Sequence, residues 1–441
     1  METISYEVNS KSVATCFGHL LGELGIETAF VEQEGDWQLK IDEHLAVDFV
    51  FTAQGQVTGK NQAMLFYGVT KAFVAKKTNV STLEQYCARI KERCLMIDIG
   101  RKFYSLAALK SLVRSMALFQ FTHLQLHFSE NEGFRIESER FPEVVSTQHL
   151  SKVEVQELIQ YAQKYFIEII PDLDTPGHLE QFLKQHPDWH LPKGEGSKDP
   201  RALDILNSEA VAAIYSLYEE YAELFSESHY FHIGADEFID FDHLEEYPTL
   251  LDYGKKKYGP QSSGIEVFIE YVNQTIEFVS QLGFTVRVWN DGFYRSNREE
   301  EISLSKNCEI SYWTKWNPNM ATIESFLEKG YSLINHNDNF FYYVLGEAAG
   351  YQYPTYEKIS DEFTLTTFAH HQQVEEQALA QTKAIALSIW SDIPDAKTEQ
   401  EVVEDSFWLL AAINRKVWLD QNEAKDKYVP LFELWKNCSD K

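Results

Sequence analysis

The chain has 441 residues and a formal net charge of −29, from 39 Lys and Arg against 68 Asp and Glu. Hydrophobic residues make up 44% and aromatics 14%, enough for one barrel-sized domain with a large core, a smaller second domain, and aromatics left over for a cleft. So acidic a chain disfavours nucleic acid and anionic membrane as partners, since both need basic faces, and suits a neutral or cationic ligand.

The opening Met-Glu-Thr-Ile-Ser-Tyr-Glu-Val has no basic n-region and no apolar h-region, and no apolar run reaches the length of a membrane span. The five cysteines (Cys16, Cys87, Cys94, Cys308 and Cys438) are odd in number and lack metal-type spacing. Reduced thiols, no metal site, no cofactor and a cytoplasmic location are the expectation.

Residues 1–90 read as a small α/β domain. Val13, Cys16, Leu20 and Leu24 have helical spacing over 12–24, residues 37–41 and 46–51 read as strands, the Gly55 to Gly59 region as a turn, and 62–74 as a second helix. From about Cys94 the pattern becomes strands alternating with helices. Strands are expected at 95–99, 123–128, 166–171, 230–236, 285–289, 308–313, 331–335 and 384–390. Helices are expected at 106–119, 152–165, 208–225, 264–282 and 399–417. Near-continuous apolar strands between helices signal parallel strands covered on both faces. Eight such units in roughly 320 residues are barrel-sized. The fold class is therefore α/β: a (β/α)₈ TIM barrel over 91–420, preceded by the small α/β domain and followed by a tail, 421–441, packing on the barrel or extending from it. An open doubly wound sheet is weaker, because no glycine-rich phosphate loop follows any strand.

Polar and aromatic residues gather at one end of these strands: Arg101 after the first, Glu130 after the second, His178 after the third and Asp236-Glu237 after the fourth. Trp289, Trp313, the Asp338 to Tyr343 stretch and Trp390-Ser391-Asp392 close the remaining four. Any one has a structural explanation; a lone Asp-Glu ordinarily just opens a polar loop. Their shared placement at the C-terminal rim of a barrel points to a site. Indole faces for axial C–H groups, with Arg and carboxylates for hydroxyl pairs, are what a sugar needs.

These motifs resemble the β-N-acetylhexosaminidases of glycoside hydrolase family 20. His232-Ile233-Gly234-Ala235-Asp236-Glu237 is similar to the family's His-x-Gly-Gly/Ala-Asp-Glu, Asp98-Ile99-Gly100-Arg101-Lys102-Phe103 to its Asp-x-x-Arg-x-Phe, and Pro171-Asp172-Leu173-Asp174-Thr175-Pro176-Gly177-His178 to its Pro-Glu-x-Asp-x-Pro-Gly-His. The stretch from His127 to Arg135 and Trp390-Ser391-Asp392 resemble two further motifs. Glu130 stands for the usual Asp and Asp392 for the usual Glu, and 338–343 matches loosely.

The resemblance implies an exo-acting enzyme in which the substrate's 2-acetamido oxygen is the nucleophile. In a continued strand, Asp236 and Glu237 would face opposite sides, which also argues against a bracketing nucleophile–acid pair. By resemblance, Glu237 is the acid and base, and Asp236, ionised, orients the acetamido N–H and raises the pKa of Glu237. Tyr342, or Tyr343 instead, meets the acetamido oxygen. Trp289, Trp313 and Trp390 wall the pocket, Arg101 and Asp392 hold the ring hydroxyls, Asp338 is a further substrate-binding residue, and His178 and Glu130 support the acid. The expected partner is a glycan with a terminal N-acetylhexosamine, met by a monomer or homodimer. Within the family, release of a disaccharide is an alternative. Outside it stand a metal-dependent barrel hydrolase using His178, His232 and Asp236, and a carbohydrate-binding protein with a decayed site.

Overall fold

The computed structural model describes residues 1–83 and 85–439, the side chains of Cys438 and Ser439 excepted; the expected free thiol of Cys438 and the last two residues of the tail lie outside the described set. The other four cysteines are unpaired. No helix among the described residues is long and apolar enough to cross a membrane.

Residues 2–86 build a six-stranded sheet in the order Thr28–Phe30, Glu2–Tyr6, Trp37–Ile41, Gln56–Gly59, Phe49–Phe51, Gln85–Tyr86. The expected turn around Gly55 to Gly59 is in fact mostly strand. Gly55 alone turns, at φ +83°, whereas Gly59 ends a strand where an added Cβ would sit 2.2 Å from the Leu65 backbone. That glycine serves close approach of a helix. The helix, Gln62–Thr78, starts on the Asn61 side chain, which accepts from the Met64 N–H. Its residues 65–74 are all buried, because it lies between the sheet and the barrel and has no solvent face. Tyr67 donates to the Phe166 carbonyl at 3.2 Å, and Lys71 meets Asp420 at 2.6 Å.

Eight parallel strands follow: β1 (Glu92–Asp98), β2 (His123–His127), β3 (Glu168–Thr175), β4 (Tyr230–Gly234), β5 (Thr285–Trp289), β6 (Cys308–Tyr312), β7 (Ser332–Asn335) and β8 (Thr382–Trp390). Each pairs with the next, and β8 pairs with both β7 and β1, closing the barrel. Two boundaries differ informatively from expectation. β3 runs on to Thr175 because its charged end is buried and paired rather than solvated. β4 stops at Gly234 because the chain turns left-handed there, with Gly234 at φ +74° and Ala235 at +71°. At the N-terminal mouth Arg287 bonds Glu309 at 3.0 Å and Glu92 at 2.6 Å and lies on the Tyr230 ring, closing the end opposite the candidate site. Beyond residue 420, the helix Val429–Ser439 sets Phe432 and Trp435 against Phe407.

The Lys71–Asp420 pair is buried on both sides, at 6% and 4% side-chain exposure, and Lys71 also reaches Asn414 at 3.2 Å. Removing one partner strands the other charge. Asp420→Ala is expected to destabilise the protein by about 3–5 kcal/mol in chemical denaturation, and the double change Lys71→Met with Asp420→Leu is expected to recover most of that loss.

Candidate active site

The C-terminal mouth of the barrel holds a cavity of about 480 Å³ lined by Arg101, Glu130, His178, Asp236, Glu237, Trp313, Trp316, Tyr342, Val344, Ala349, Tyr351, Trp390 and Asp392. Nine of the twelve site residues expected from sequence line it, Glu130 and His178 among them. Trp289 stands one layer behind, buried, its ring 6.0 Å from Trp390. Asp338 also lies behind the wall, accepting from Thr314 at 2.7 Å and from Tyr351 at 3.3 Å. Tyr343 leaves the cavity altogether: its hydroxyl donates to Asp405 on the outer helix at 2.5 Å and its ring packs on Tyr353. Of the two tyrosines, only Tyr342 lines the cavity, in parallel with Trp313 at 5.6 Å.

The turn after β4 is what presents the two carboxylates. A Cβ on Gly234 would lie 1.6 Å from Asp174 Oδ1, so only glycine admits the Asp174 carboxyl against the backbone. Ala235 at φ +71° and Glu237 at +41° then bend the chain, and both Asp236 and Glu237 face the same cavity. Strand alternation does not govern them, since the strand has already ended. The Glu237 side chain is 52% exposed to the open cavity, and its N–H donates to Asp291 at 3.1 Å. Left-handed non-glycine residues, His178 at +56° among them, store strain where the site is built.

Beneath lies a buried relay of carboxylates and imidazoles. His178 Nδ1 meets Glu130 at 2.9 Å, and its Nε2 lies 3.5 Å from Glu237 and 3.7 Å from Asp236. Glu130 is also 2.6 Å from Arg101 and 3.5 Å from His127; His127 is 3.1 Å from Asp172, and Asp172 is 3.4 Å from His232. Arg101 is fixed further by Asp98 at 3.0 Å, and Asp98 also accepts from the Ser391 N–H at 3.0 Å, tying the ends of β1 and β8.

These contacts set the protonation states. Burial opposes a charge on His178, but Glu130 and Asp236 outweigh it and hold its pKa well above 6.5. Desolvation raises Glu130, yet His178 and Arg101 bring it well below 4.5. The hydrogen bond from His178, against burial, lowers Glu237. The expected upward shift from Asp236 is thus overturned: the imidazolium is nearer in effect than the neighbouring anion. Burial and Asp236 push Asp174 well above its ordinary value, so the Asp174–Asp236 pair keeps its proton on Asp174; burial raises Asp236 too, with His178 opposing. Asp291, buried beside Asp236 and Glu237, is pushed up to about 7.

Ligand atoms of Asp174, His178 and Asp236 come within 4.8 Å of one another. A metal held by this trio would need Asp174 and His178 deprotonated, against the raised pKa of each.

Asp98, Asp174, Asp291, Trp316 and Tyr351 belong to the site but were not singled out from sequence. The three aspartates sit at strand ends already flagged as polar, a usable signal. Trp316 closes the polar and aromatic stretch that follows the sixth strand, the same signal, whereas Tyr351 lies in a loop with no periodicity to place it.

The family described as "Glycosyl hydrolase family 20, catalytic domain" matches residues 91–426. A lacto-N-biosidase of Bifidobacterium bifidum is 28% identical over 272 residues, 62% of this chain and 24% of that protein. A β-hexosaminidase of Vibrio furnissii is 31% identical over 182 residues, 34% of this chain and 30% of that one. The matched stretches thus cover less than a third of either relative's own length. In fold, a β-N-acetylhexosaminidase of Bacteroides fragilis superposes with TM-score 0.74 at 17% identity, covering 99% of this chain and 92% of its own. The Vibrio harveyi exo β-N-acetylglucosaminidase reaches TM-score 0.77 at 16% identity, covering 99% and 74%. With a barrel of this order, the carboxylate pair at its mouth and a family match across three quarters of its length, the chain belongs to glycosyl hydrolase family 20.

Proposed function

We propose that this chain is an exo-acting β-N-acetylhexosaminidase, removing terminal β-linked N-acetylhexosamine with retention, the 2-acetamido oxygen serving as nucleophile. One observation carries the reading: beside Asp236 and Glu237 lies an apolar chamber of Trp289, Trp313, Tyr342 and Val344, with Trp390 and Tyr351 packed on it. An acetyl methyl fits such a chamber; a bare hydroxyl would be stranded there. The names of the relatives, β-hexosaminidase among them, support the substrate class.

In this mechanism the substrate covers the open side of Glu237, which raises its pKa by desolvation. The proton held by His178 passes to Glu237 and on to the glycosidic oxygen. As the leaving group departs, the acetamido oxygen bonds the anomeric carbon and forms an oxazolinium ion. Asp236 accepts the acetamido N–H and stabilises the cation. The Tyr342 hydroxyl, kept protonated by burial, donates to the acetamido oxygen. Water, deprotonated by Glu237, then opens the ring. Arg101 and Asp392 grip the sugar hydroxyls at the mouth. A second reading, release of a disaccharide, is supported by the lacto-N-biosidase relative; chromatography of the products separates the two, since one yields a monosaccharide and the other a disaccharide.

Glu237→Gln is expected to lower kcat by about 10²–10⁴-fold with an unchanged melting curve; near-normal turnover would remove Glu237 from its role. The matched β-glucoside, which lacks the acetamido arm, should be cleaved at least about 10³-fold more slowly, and a thiazoline mimic of the cyclised intermediate should inhibit tightly. The pH profile gives a further check. His178 has a raised pKa because Glu130 faces it, so its proton is present below 6.5 and lost only as pH rises through the raised value. Glu130→Gln removes that anion, and the alkaline limb of kcat/KM is expected to move to lower pH by about one unit.

A further inference from the structure

Glu130 and Asp172 hold the His127 imidazole between them. Asp172 Oδ2 is 3.1 Å from Nδ1, Glu130 Oε1 is 3.5 Å from Nε2, and all three side chains are buried. The backbone fixes both ends of this bridge. His127 and Asp172 are register partners on β2 and β3, and the Glu130 N–H, three residues past His127, donates to the Gly133 carbonyl at 2.8 Å. An imidazole cannot stretch, so the two carboxylate arms together must fill one fixed span. We infer that Asp172 is a positioning residue for the proton relay, matched in length to Glu130 across His127, so that the two side chains form one compensating pair; the inference rests on the hydrolase reading above.

Neither arm has slack. Asp172 Oδ2 also accepts from Gln125 Nε2 at 2.7 Å, and its Oδ1 faces His232 Nδ1 at 3.4 Å. One more methylene there would drive the imidazole towards Glu130 by up to a carbon–carbon bond, about 1.5 Å, which a close-packed interior does not absorb. On the other side the Glu130 carboxyl already carries Arg101 at 2.6 Å and His178 at 2.9 Å. The root of that arm is packed as well, since a Cβ on Gly100 would lie 3.0 Å from the Glu130 Cβ. The motifs compared above have the opposite assignment at these two positions: Glu130 stands where the pattern has Asp, and Asp172 where it has Glu. One arm is longer by a methylene and the other shorter by one, so the summed span is unchanged. Either departure alone would leave a clash or a gap beside His127; together they leave neither. The consequence reaches the acid through His178. Glu130 holds its proton in place, and Glu237 at 3.5 Å and Asp236 at 3.7 Å face its other nitrogen, with Asp174 beside them. Asp172 itself does not line the cavity; it acts by fixing how far the Glu130 carboxyl extends.

The test compares Glu130→Asp, Asp172→Glu and the double exchange on an aryl N-acetyl-β-glucosaminide, with the His178 imidazole titrated by NMR in substrate-free protein. Each single change misplaces a relay carboxyl by about 1 Å and is expected to lower kcat about 10- to 100-fold with KM within about twofold of wild type. The alkaline limb of kcat/KM should move to lower pH in both, because a displaced Glu130 carboxyl holds the His178 proton less firmly. The double exchange is expected to return kcat to within about threefold of wild type, a strongly non-additive result, and to restore both the limb and the His178 titration. Losses that multiply in the double variant would overturn the proposal, as would single variants with the wild-type kcat and pH limb. If a single variant does not fold, the double exchange decides alone: folded and active it supports the pairing, unfolded or inactive it overturns it. If the wild-type protein does not cleave the glycoside, the hydrolase reading fails, and the His178 titration, restored in the double exchange or not, still decides the pairing.

Discussion

The site depends on one buried anion, Glu130. It lies at 2% exposure and would be costly in an apolar interior without partners. It has three: Arg101, His127 and His178. Each partner is held in turn by another carboxylate, Asp98 for Arg101, Asp172 for His127, and Asp236 with Glu237 for His178. Charges therefore alternate from the barrel interior to the mouth, and no member can be removed without leaving its neighbours unbalanced. That the chain carries Glu where the family pattern has Asp lengthens this central group by one methylene, and the longer arm still reaches all three cations.

The alternation also explains the backbone. β3 can continue to Thr175 because Asp172 sits between His127 and His232 rather than facing an apolar core. The tight approach of Asp174 to Gly234 forces the left-handed turn that ends β4, and this turn puts Asp236 and Glu237 into one cavity. The charge network and the strained corner are two consequences of packing carboxylates at the end of apolar strands.

Much of this was legible in the sequence. Apolar runs separated by helical spacing gave eight strands in the right order, and the polar residues ending them gave the rim. Less legible was anything set by register. His127, Asp172 and His232 lie side by side on β2, β3 and β4, but a row across three strands is fixed by non-local pairing, not by any single segment. The same limit hid four of the six strands of the N-terminal sheet: Glu2–Tyr6 and Gln56–Gly59, for example, are partly exposed strands whose polar residues mask them. The protonation of Glu237 was misjudged for a related reason. Sequence puts Asp236 next to it, while the fold brings His178 close enough to dominate. A loop residue such as Tyr351 left no trace, because a loop's position follows from its anchors and not from its own pattern.

Glu237 divides two environments of opposite character. On one side is a chamber of indole and phenol rings, and on the other a cavity floored by Asp242, Arg295 and asparagine side chains. An acid at such a boundary keeps its own charge state adjustable: 52% exposed when the site is open, it is stabilised as a carboxylate by the imidazolium, and once covered it loses water on its free side, which in the proposed mechanism lets it take the proton that His178 held. The shift needed to turn a base into an acid is then produced by occupancy itself, with no movement of the relay below. A fully buried Glu237 would need its proton fixed in advance, and a fully exposed one would not retain it. In the proposed mechanism, the half-exposed corner after Gly234 lets one carboxyl give a proton in the first step and take one in the second.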